Sequence, residues 1–453
     1  MVGLGQPHHV SRLLENRGAG EHPLPRQHSH SQHASQCGAV LAGQPNGLGT
    51  DCTGNLGGHS ADRAPHHLFP ILGRNVVTSR SLQTPGHLKV FLVAGEASGD
   101  AYGAMLVRQL EKMAQQRGWQ AECVGWGGDA MAASGMKVLT HCNDINFMGF
   151  WEVAQNIMTI FKNLRRIQSD IEDFAPDVVV TIDFPGFNMR LAKRLRKTGH
   201  PAFRVQWVTP QIWAWKAGRT KALAQDFDVA CPILPFENDL LSQAGVNTWN
   251  VGHPLLDALD GSTKPPRDRP LALAMLPGSR HQELQHHLPI LVEAARRGAA
   301  QGRWALRDVA IAGAPGKQPK DYQLAVDAGV EVVFGATEEV LQRAQMAWVA
   351  SGTATLEAAL AGTPHVLVYR TSRLTYAVAK QLAKVPFIGL PNILLGRKVV
   401  PELIQNALTP EGLLDLTLED LAPQKKAFQE VSSKLGGPGA AERLAQHLFQ
   451  VLG

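Results

Sequence analysis

Long hydrophobic runs, cysteine and a strong charge bias are all missing from this sequence. No window of about 18 uninterrupted apolar residues occurs, so the sequence does not favour a membrane-spanning helix. The five cysteines are far apart and include no CxxC pair, which argues against a disulfide framework or a structural zinc site and favours a reducing compartment. The net charge of +5 is small, and the basic residues are scattered. We therefore predict a globular protein that binds no nucleic acid and needs no metal or other cofactor.

Lysine is absent from residues 1–86, which contain half of the 18 histidines. This stretch is rich in glycine, serine, proline, glutamine and arginine, and its apolar residues show little periodicity. Burial would not compensate for the entropy lost on ordering it, so we predict that it is disordered in the mature protein or removed from it. Arginine without lysine resembles an organellar presequence, although Glu15 and Glu21 interrupt the pattern. A misassigned start codon would give a similar extension.

From residue 88 onward, short apolar runs alternate with amphipathic segments, a pattern that predicts parallel βαβ units. The predicted strands cover residues 90–94, 121–125, 178–182, 203–208, 229–232, 271–276, 309–312, 331–334, 346–350 and 365–369. One open sheet of this length rarely holds so many strands, so we predict two doubly wound α/β domains. The polar, proline-rich residues 257–269 indicate the boundary between them. Ligands of such sheets bind at the carboxyl ends of the strands, which would face a cleft between the domains.

The first predicted strand runs into the turn GEASGD at residues 95–100. Gly95 and Gly99 allow a tight turn, and Ser98 or Asp100 is suited to cap the helix that follows. A strand, a glycine turn and a helix N-terminus together present free backbone N–H groups to a ligand. The turn therefore either contacts a ligand or only reverses the chain.

Asp183 ends the strand DVVVTID and precedes Pro185 and Gly186, which stop the strand at once. Its carboxylate is thus expected at the rim of the sheet, facing the cleft. Partial burial there would raise its pKa towards the working pH, as a general base requires. The alternative is that Asp183 caps the following helix, predicted at residues 188–197.

The segment LPGSRHQE follows the first strand of the second domain. Gly278 and Ser279 offer backbone and hydroxyl donors, and Arg280 adds a guanidinium group, a combination that suits a diphosphate. The segment lacks the glycine and lysine spacing of a P-loop, so ATP hydrolysis is not favoured. It is either an anion site or a plain turn with a surface arginine.

The segment ASGTATLE repeats this arrangement later in the same domain. Ser351, Gly352 and Thr353 supply donors near a helix N-terminus, and Glu357 lies one turn into that helix, on the side of the cleft. A carboxylate there can accept hydrogen bonds from both hydroxyls of a ribose while the turn holds phosphate. Two such turns favour a nucleotide diphosphate, and the alternative is a capping box of Thr353 with a nearby acid. No DxD pair accompanies the turns, so Arg280 and helix N-termini would have to neutralise the diphosphate.

Residues 146–167 form a helix-like stretch with an aromatic and aliphatic face beside cations. Such a face either dips into an interface that carries anionic lipids or is buried in the core. The residues predicted to face a membrane are Phe150, Trp151, Ile157, Phe161, Arg165 and Arg166.

Taken together, these segments resemble the lipid-A-disaccharide synthases, inverting glycosyltransferases of the GT-B fold. The resemblance rests on motifs in the family's order: VAGEASGD, INFMGFWEV, IDFPGFN, TPQIWAWK, ILPFE, VGHPLLDA, LPGSR, ASGTATLE and the stretch from YRTSRLTYAV to GLPNILLGR. It implies two Rossmann-like parallel-sheet domains separated by a cleft, an acceptor and membrane domain at 87–256 and a UDP-sugar domain at 257–408. Residues 409–453 would form helices that cross back to the first domain or exchange with a second subunit of a homodimer.

The resemblance also implies roles for individual residues. Asp183 would remove the proton from the 6-hydroxyl of the acceptor, Arg280 would stabilise the UDP leaving group, and Glu357 would hold the uridine ribose. Asn392, in GLPNILLGR, matches another polar residue of the family's active site. The residues that match the cleft-lining turn of the first domain are Glu96 and Ser98.

The family joins UDP-2,3-diacylglucosamine to 2,3-diacylglucosamine 1-phosphate and releases UDP, which implies two acylated substrates and a peripheral position on a membrane. Residues 1–86 have no counterpart in bacterial members, which implies a plant-type chain directed to the mitochondrion or, alternatively, the plastid. Gly186 stands where bacterial members usually carry a second Asp. Two alternatives are a different UDP-N-acetylglucosamine-dependent transferase or epimerase of this fold and an inactive lipid-binding homologue. Retention of Asp183, Arg280 and Glu357 argues against the inactive homologue.

Overall fold

Two parallel β-sheets of six strands each form the framework of the protein. The computed structural model describes residues 82–145, 157–212, 218–259, 269–382 and 386–453. The first sheet contains β1 (His87–Ala94), β2 (Gln120–Gly127), β3 (Lys137–His141), β4 (Val178–Ile182), β5 (Phe203–Trp207) and β6 (Val229–Cys231). The second contains β7 (Leu271–Leu276), β8 (Val309–Gly313), β9 (Glu331–Phe334), β10 (Ala344–Ala350), β11 (His365–Tyr369) and β12 (Glu402–Ile404). The strand orders are β3-β2-β1-β4-β5-β6 and β12-β11-β10-β7-β8-β9.

Helices connect the strands in the described residues. In the first half they are α1 (Ala97–Gln116), α2 (Asp129–Ala133), α3 (Ile157–Phe174), α4 (Pro185–Lys197), α5 (Arg219–Asp226), α6 (Pro235–Gln243) and α7 (Pro254–Leu259). In the second half they are α8 (His281–Ala300), α9 (Gln323–Asp327), α10 (Thr337–Arg343), α11 (Thr353–Leu360), α12 (Arg373–Leu382), α13 (Leu390–Leu395), α14 (Pro410–Leu414), α15 (Leu418–Leu421), α16 (Gln424–Leu435) and α17 (Ala440–Leu452). None of these helices combines the length and apolar character needed to cross a bilayer.

The central strands are buried on both faces, which explains their unbroken aliphatic sequences. Along β1, Val90 and Leu92 pack into one core with α1, whereas Phe91 and Val93 pack into a second core with α3 and α4. Alternate residues of a strand point to opposite faces, so an apolar residue is needed at every position. The predicted pair of doubly wound α/β sheets is thereby confirmed.

The ten predicted strands are all present, and their ends differ from the predictions by no more than three residues. The edge strands β3 and β12 were not predicted, because each is short and only partly buried and its apolar pattern is weak. The helix after Asp183 begins at Pro185, so the predicted start at residue 188 is wrong. Proline fits the first helical position, where its missing N–H has no intrahelical partner to lose.

The last helix of the chain, α17, lies against the first sheet although it follows the second sheet in sequence. Leu448 and the β1 residue Leu92 belong to the same buried core. Asp257, in α7, accepts hydrogen bonds at Oδ1 from the backbone N–H groups of Gly439, at 2.6 Å, and Ala440, at 2.9 Å. A carboxylate at a helix N-terminus satisfies free donors and complements the helix dipole. The chain therefore returns to its first half through a capped helix.

Candidate active site

The turn after β4 is strained and carries Asp183. Asp183 has a φ of 48° and Phe184 a φ of 46°, left-handed values that cost energy for residues other than glycine. The N–H of Asp183 donates to the carbonyl of Trp207 at 2.8 Å. The carbonyl of Asp183 accepts from Asn188 Nδ2 at 2.7 Å and from Gln206 Nε2 at 3.1 Å. These bonds hold the backbone of Asp183 in place and leave its carboxylate for other contacts.

The turns after β1 and β4 touch each other at the carboxyl edge of the first sheet. A Cβ atom on Gly95 would lie 2.5 Å from the ring of Phe184, so the close approach requires glycine at residue 95. This contact brings Glu96 and Ser98, both partly exposed, to the same edge as Asp183. The predicted grouping of these residues at the strand ends follows from the fold. Asp100 has a different role from the expected cap of α1, because it accepts from the N–H of Gly128 at 2.7 Å and holds the start of α2.

Opposite charges from the two sheets meet across the cleft. The Nη2 atom of Arg280 lies 3.9 Å from Oε2 of Glu96. Burial raises the pKa of Glu96 to about 7; Arg280 lowers that pKa, and the charge of Asp183 raises it. Burial also raises the pKa of Asp183, against the opposing effects of the Phe184 backbone N–H and of Arg280. The two acids and the arginine thus form one electrostatically coupled group.

The turn after β7 differs in detail from the predicted anion site. Glu283 accepts at Oε2 from the backbone N–H groups of Ser279, at 3.0 Å, and Arg280, at 3.2 Å. Gly278 has a φ of 111°, and a Cβ atom there would meet Glu283 Oε2 at 2.5 Å. In this geometry the backbone N–H groups of Ser279 and Arg280 are therefore occupied by Glu283, and diphosphate binding by Gly278 and Ser279 stays a prediction. The groups that the turn presents to a ligand are the hydroxyl of exposed Ser279 and the half-exposed guanidinium of Arg280.

The turn after β10 retains the predicted backbone donors, whereas two of its hydroxyls have partners within the protein. Gly352 has a φ of 141° and directly precedes α11, where it provides no side-chain cap, so the first backbone N–H groups of this helix are available to an anion. Glu357 lies one turn further on. Burial raises the pKa of Glu357, and a hydrogen bond from the Thr353 side chain partly opposes that shift. Ser351 Oγ lies 3.4 Å from the carbonyl oxygen of Ile388, so this hydroxyl is turned towards a neighbouring loop.

Tyr102 is a residue of the cleft that the sequence did not reveal. It lies in the second turn of α1, almost fully buried, with its ring 6.1 Å from the ring of Trp207. Burial raises the pKa of its phenol, and the nearby charges of Glu357 and Asp183 raise it further. Tyr102 therefore lies within electrostatic reach of an acid from each half of the cleft. Its position one helical turn after Ser98 is the signal that could have indicated it.

Asn392 does not offer free polar atoms to the cleft. It is completely buried, and its Oδ1 accepts from the backbone N–H groups of Val399, at 2.7 Å, and Val400, at 2.8 Å. Its Nδ2 donates to the carbonyl of Val400 and to Glu402 Oε1, both at 2.9 Å. These bonds use the full hydrogen-bonding capacity of the amide. In this geometry Asn392 has a structural role, and the catalytic role implied by the resemblance stays a prediction.

We expect the variant Asn392→Ala to lose about 3 kcal/mol of the free energy of unfolding, because it leaves several buried groups without partners. Urea denaturation measures this loss. Asn238→Ala is the control, since the Asn238 side chain accepts a single bond, from Thr248 at 2.8 Å in a partly buried site. Lost turnover with unchanged unfolding would instead assign Asn392 to catalysis.

Comparison with known proteins identifies the family. A family model described as lipid-A-disaccharide synthetase matches residues 90–436. The chain is 37% identical over 387 residues to the lipid-A-disaccharide synthase of Syntrophus aciditrophicus, an alignment that covers 79% of this chain and 96% of that protein. It is 38% identical over 379 residues to the same-named protein of Anaeromyxobacter dehalogenans strain 2CP-C, covering 80% and 97%. The chain belongs to the lipid-A-disaccharide synthase family.

A solved structure supports the fold of this synthase-family chain. The UDP-GlcNAc 2-epimerase of Neisseria meningitidis, solved with UDP-GlcNAc bound, superimposes with a TM-score of 0.52 at 11% sequence identity, covering 80% of this chain and 99% of that one. At such low identity the likeness concerns the fold alone. The GT-B architecture, with two Rossmann-like sheets and a cleft, is thereby confirmed.

Within the part of the chain that the structure describes, no three His, Cys, Asp or Glu side chains are grouped to hold a metal ion.

Proposed function

We propose that the chain is a glycosyltransferase that joins UDP-2,3-diacylglucosamine to 2,3-diacylglucosamine 1-phosphate, giving the β-1,6-linked disaccharide 1-phosphate and UDP. One observation carries the proposal beyond family membership: Glu96 of the first half lies 3.9 Å from Arg280 of the second half, and the charge of Arg280 also acts on Asp183. A displacement reaction needs this arrangement, with a proton acceptor on one side of the anomeric carbon and a cation on the other. The comparisons do not favour the epimerase or the inactive homologue.

The proposed reaction is a single displacement. Asp183 accepts the proton of the acceptor 6-hydroxyl while that oxygen bonds to the anomeric carbon. The bond between the anomeric carbon and the diphosphate oxygen breaks, and its electron pair leaves with UDP. Attack from the face opposite the diphosphate inverts the anomeric centre. The raised pKa of Asp183 suits the proton transfer, because a base works best when its pKa approaches the operating pH.

The second sheet supplies the groups that would hold the donor. The guanidinium of Arg280 is half exposed and pairs with Glu283 Oε1 at 3.3 Å through Nη1, while Nη2 lies 3.9 Å from Glu96 Oε2. A diphosphate would take the place of the longer contact with Glu96. The uncapped start of α11 offers backbone donors to the same anion. Glu357, one turn inside that helix, would accept from the ribose hydroxyls. Phosphate at the helix start and ribose one turn deeper match the order of groups in a nucleoside diphosphate.

We propose that the first half also rests on a membrane surface. Phe150 and Trp151 lie outside the described residues, as does the side chain of Ile157. Helix α3 supports the proposal, since Met158 is 78% and Phe161 52% exposed, and the cations Lys162, Arg165 and Arg166 are exposed beside them. Apolar and cationic side chains on one helix face suit the boundary of an anionic bilayer. The acyl chains of both substrates give a reason for this position.

Phe161→Glu is expected to reduce flotation of the chain with anionic liposomes by more than half, because a charged group there would have to leave water. Leu324→Glu is the matched control, since Leu324 is 46% exposed but lies in α9 of the second half. Equal flotation of the two variants would remove α3 from the membrane contact.

Location in the mitochondrion or plastid, and a homodimer, stay predictions from the sequence.

One assay tests the proposed reaction. The full chain is incubated with the two acylated glucosamines, and the product is identified by mass spectrometry. We expect a disaccharide 1-phosphate and one UDP per disaccharide, with little product from unacylated analogues. Equal use of unacylated substrates, or epimerisation of UDP-N-acetylglucosamine, would overturn the proposal.

A further inference from the structure

We propose that His287 is a positioning residue for the donor half of the site: it joins the turn that carries Arg280 to the end of β11. The inference rests on the proposed function, because it assumes that Arg280 binds the diphosphate of the donor. The hydrogen bonds of His287 go to backbone groups and not to the side chains of Glu96 or Asp183. His287 would act through the two backbone groups that it contacts, the carbonyl of Pro277 and the N–H of Arg370.

His287 connects two loops at the carboxyl edge of the second sheet. It lies in the second turn of α8 and is completely buried. Its Nδ1 lies 2.7 Å from the carbonyl oxygen of Pro277, three residues before Arg280. Its Nε2 lies 2.9 Å from the backbone nitrogen of Arg370, the residue after β11. The imidazole thus spans the gap between the two loops.

The partners determine the state of the ring. A backbone N–H can only donate, so Nε2 must accept from Arg370 and carry no proton. Nδ1 then carries the hydrogen and donates to the carbonyl of Pro277. Burial lowers the pKa of His287, which favours this neutral form. One tautomer satisfies both bonds, and a buried ring held in this way fixes the distance between its two partners.

Other buried histidines of the chain do not form such a bridge. His253 and His365 each bond through Nδ1, and their Nε2 atoms are buried with no partner among the described residues. His287 alone of these three uses both nitrogens, and both of its partners are backbone groups at the mouth of the sheet. Simple filling of the core would not require that arrangement.

The bridge completes the support of the Arg280 turn. Glu283 holds the turn from the helix side, by accepting from the N–H groups of Ser279 and Arg280. His287 holds it from the strand side, through Pro277. Without His287 the guanidinium keeps its charge and its ion pair with Glu283 at 3.3 Å, but the turn that carries it loses one of its two supports. A charge that must first be ordered binds a diphosphate more weakly.

A double-mutant cycle on UDP binding tests the inference, with the full chain, UDP as the probe and isothermal titration calorimetry. We expect His287→Phe to raise the Kd for UDP about tenfold, equivalent to about 1.4 kcal/mol. In an Arg280→Ala background His287→Phe should raise the Kd for UDP less than about twofold, because the guanidinium that His287 positions is absent. His286→Gln, next to His287 in α8, is the control and should bind UDP like the unmodified chain.

Two results would overturn the inference. One is an equal loss from His287→Phe in both backgrounds, which would mean a general structural role, and the other is an unchanged Kd. If His287→Phe does not fold, His287→Gln takes its place, since its amide oxygen can still accept from Arg370 and a partial, Arg280-dependent loss is expected. Absence of UDP binding by the unmodified chain would overturn the proposed function itself, so the two failures are distinguishable.

Discussion

Asp183→Ala is expected to lower turnover about 10²–10⁴-fold while UDP still binds, because general-base assistance is typically worth that factor. Asp183 lies on the first sheet, whereas the groups proposed to hold UDP lie on the second. Removal of the carboxylate therefore affects proton transfer and not the nucleotide. Product formation under saturating substrates measures turnover, and calorimetry measures UDP binding.

Two companion variants sharpen the test of Asp183. Asp183→Asn keeps the size of the side chain but cannot accept the proton, so it should lose as much turnover as the alanine variant. Asp239→Ala removes an exposed acid of α6 and should have no effect. Since the pKa of Asp183 is raised, activity should fall as the pH drops through a value above about 4, the usual range for aspartate. Near-normal turnover of both Asp183 variants would remove this residue from the mechanism.

Arg280→Ala is expected to lower kcat/KM about 10²–10³-fold, the usual effect of removing one group that stabilises developing charge. It should also weaken UDP binding, unlike Asp183→Ala, because the guanidinium pairs with the diphosphate in both the bound and the departing state. Arg280→Lys should recover only part of the activity, since an ammonium group lacks the planar fork that binds two phosphate oxygens.

A control for Arg280 exists on the surface of the same half. Arg397 is 51% exposed and pairs with Glu430 at 2.6 Å, whereas Arg280 is 54% exposed and lies 3.3 Å from Glu283 and 3.9 Å from Glu96. Arg397→Ala should leave both turnover and UDP binding unchanged, because exposed ion pairs contribute little. Equal effects of the two arginine variants would contradict a specific role for Arg280.

Local sequence patterns were sufficient to predict the framework of this protein. Aliphatic runs of five residues define the central strands, because both of their faces must be apolar. Glycine turns and single polar residues after such runs indicate the cleft, since parallel strands end at one edge. Asp183, Arg280 and Glu357 became candidates in this way, each from its position after a strand, and their roles stay predictions.

Contacts between distant segments could not be predicted in the same way. Asn392 was assigned to the site by resemblance, yet its bonds to Val400 and Glu402 satisfy it within the core. The sequence predicted no role for Glu283, although its carboxylate accepts a hydrogen bond from the backbone N–H of Ser279, one of the expected phosphate donors. His287 lies on the apolar side of α8, and only the structure reveals its bond to Arg370, 83 residues away. Such pairings depend on how strands are ordered in a sheet, which periodicity does not encode.

A crystal structure of the chain with UDP bound is the most direct test of the central claim. We expect the diphosphate within about 4 Å of the Arg280 guanidinium, as in an ion pair, and beside the first backbone N–H groups of α11. The carboxylate of Asp183 should face the open space next to the β-phosphate, where the sugar would lie. A nucleotide bound elsewhere, or an Asp183 carboxylate turned into the packed interior, would contradict the account.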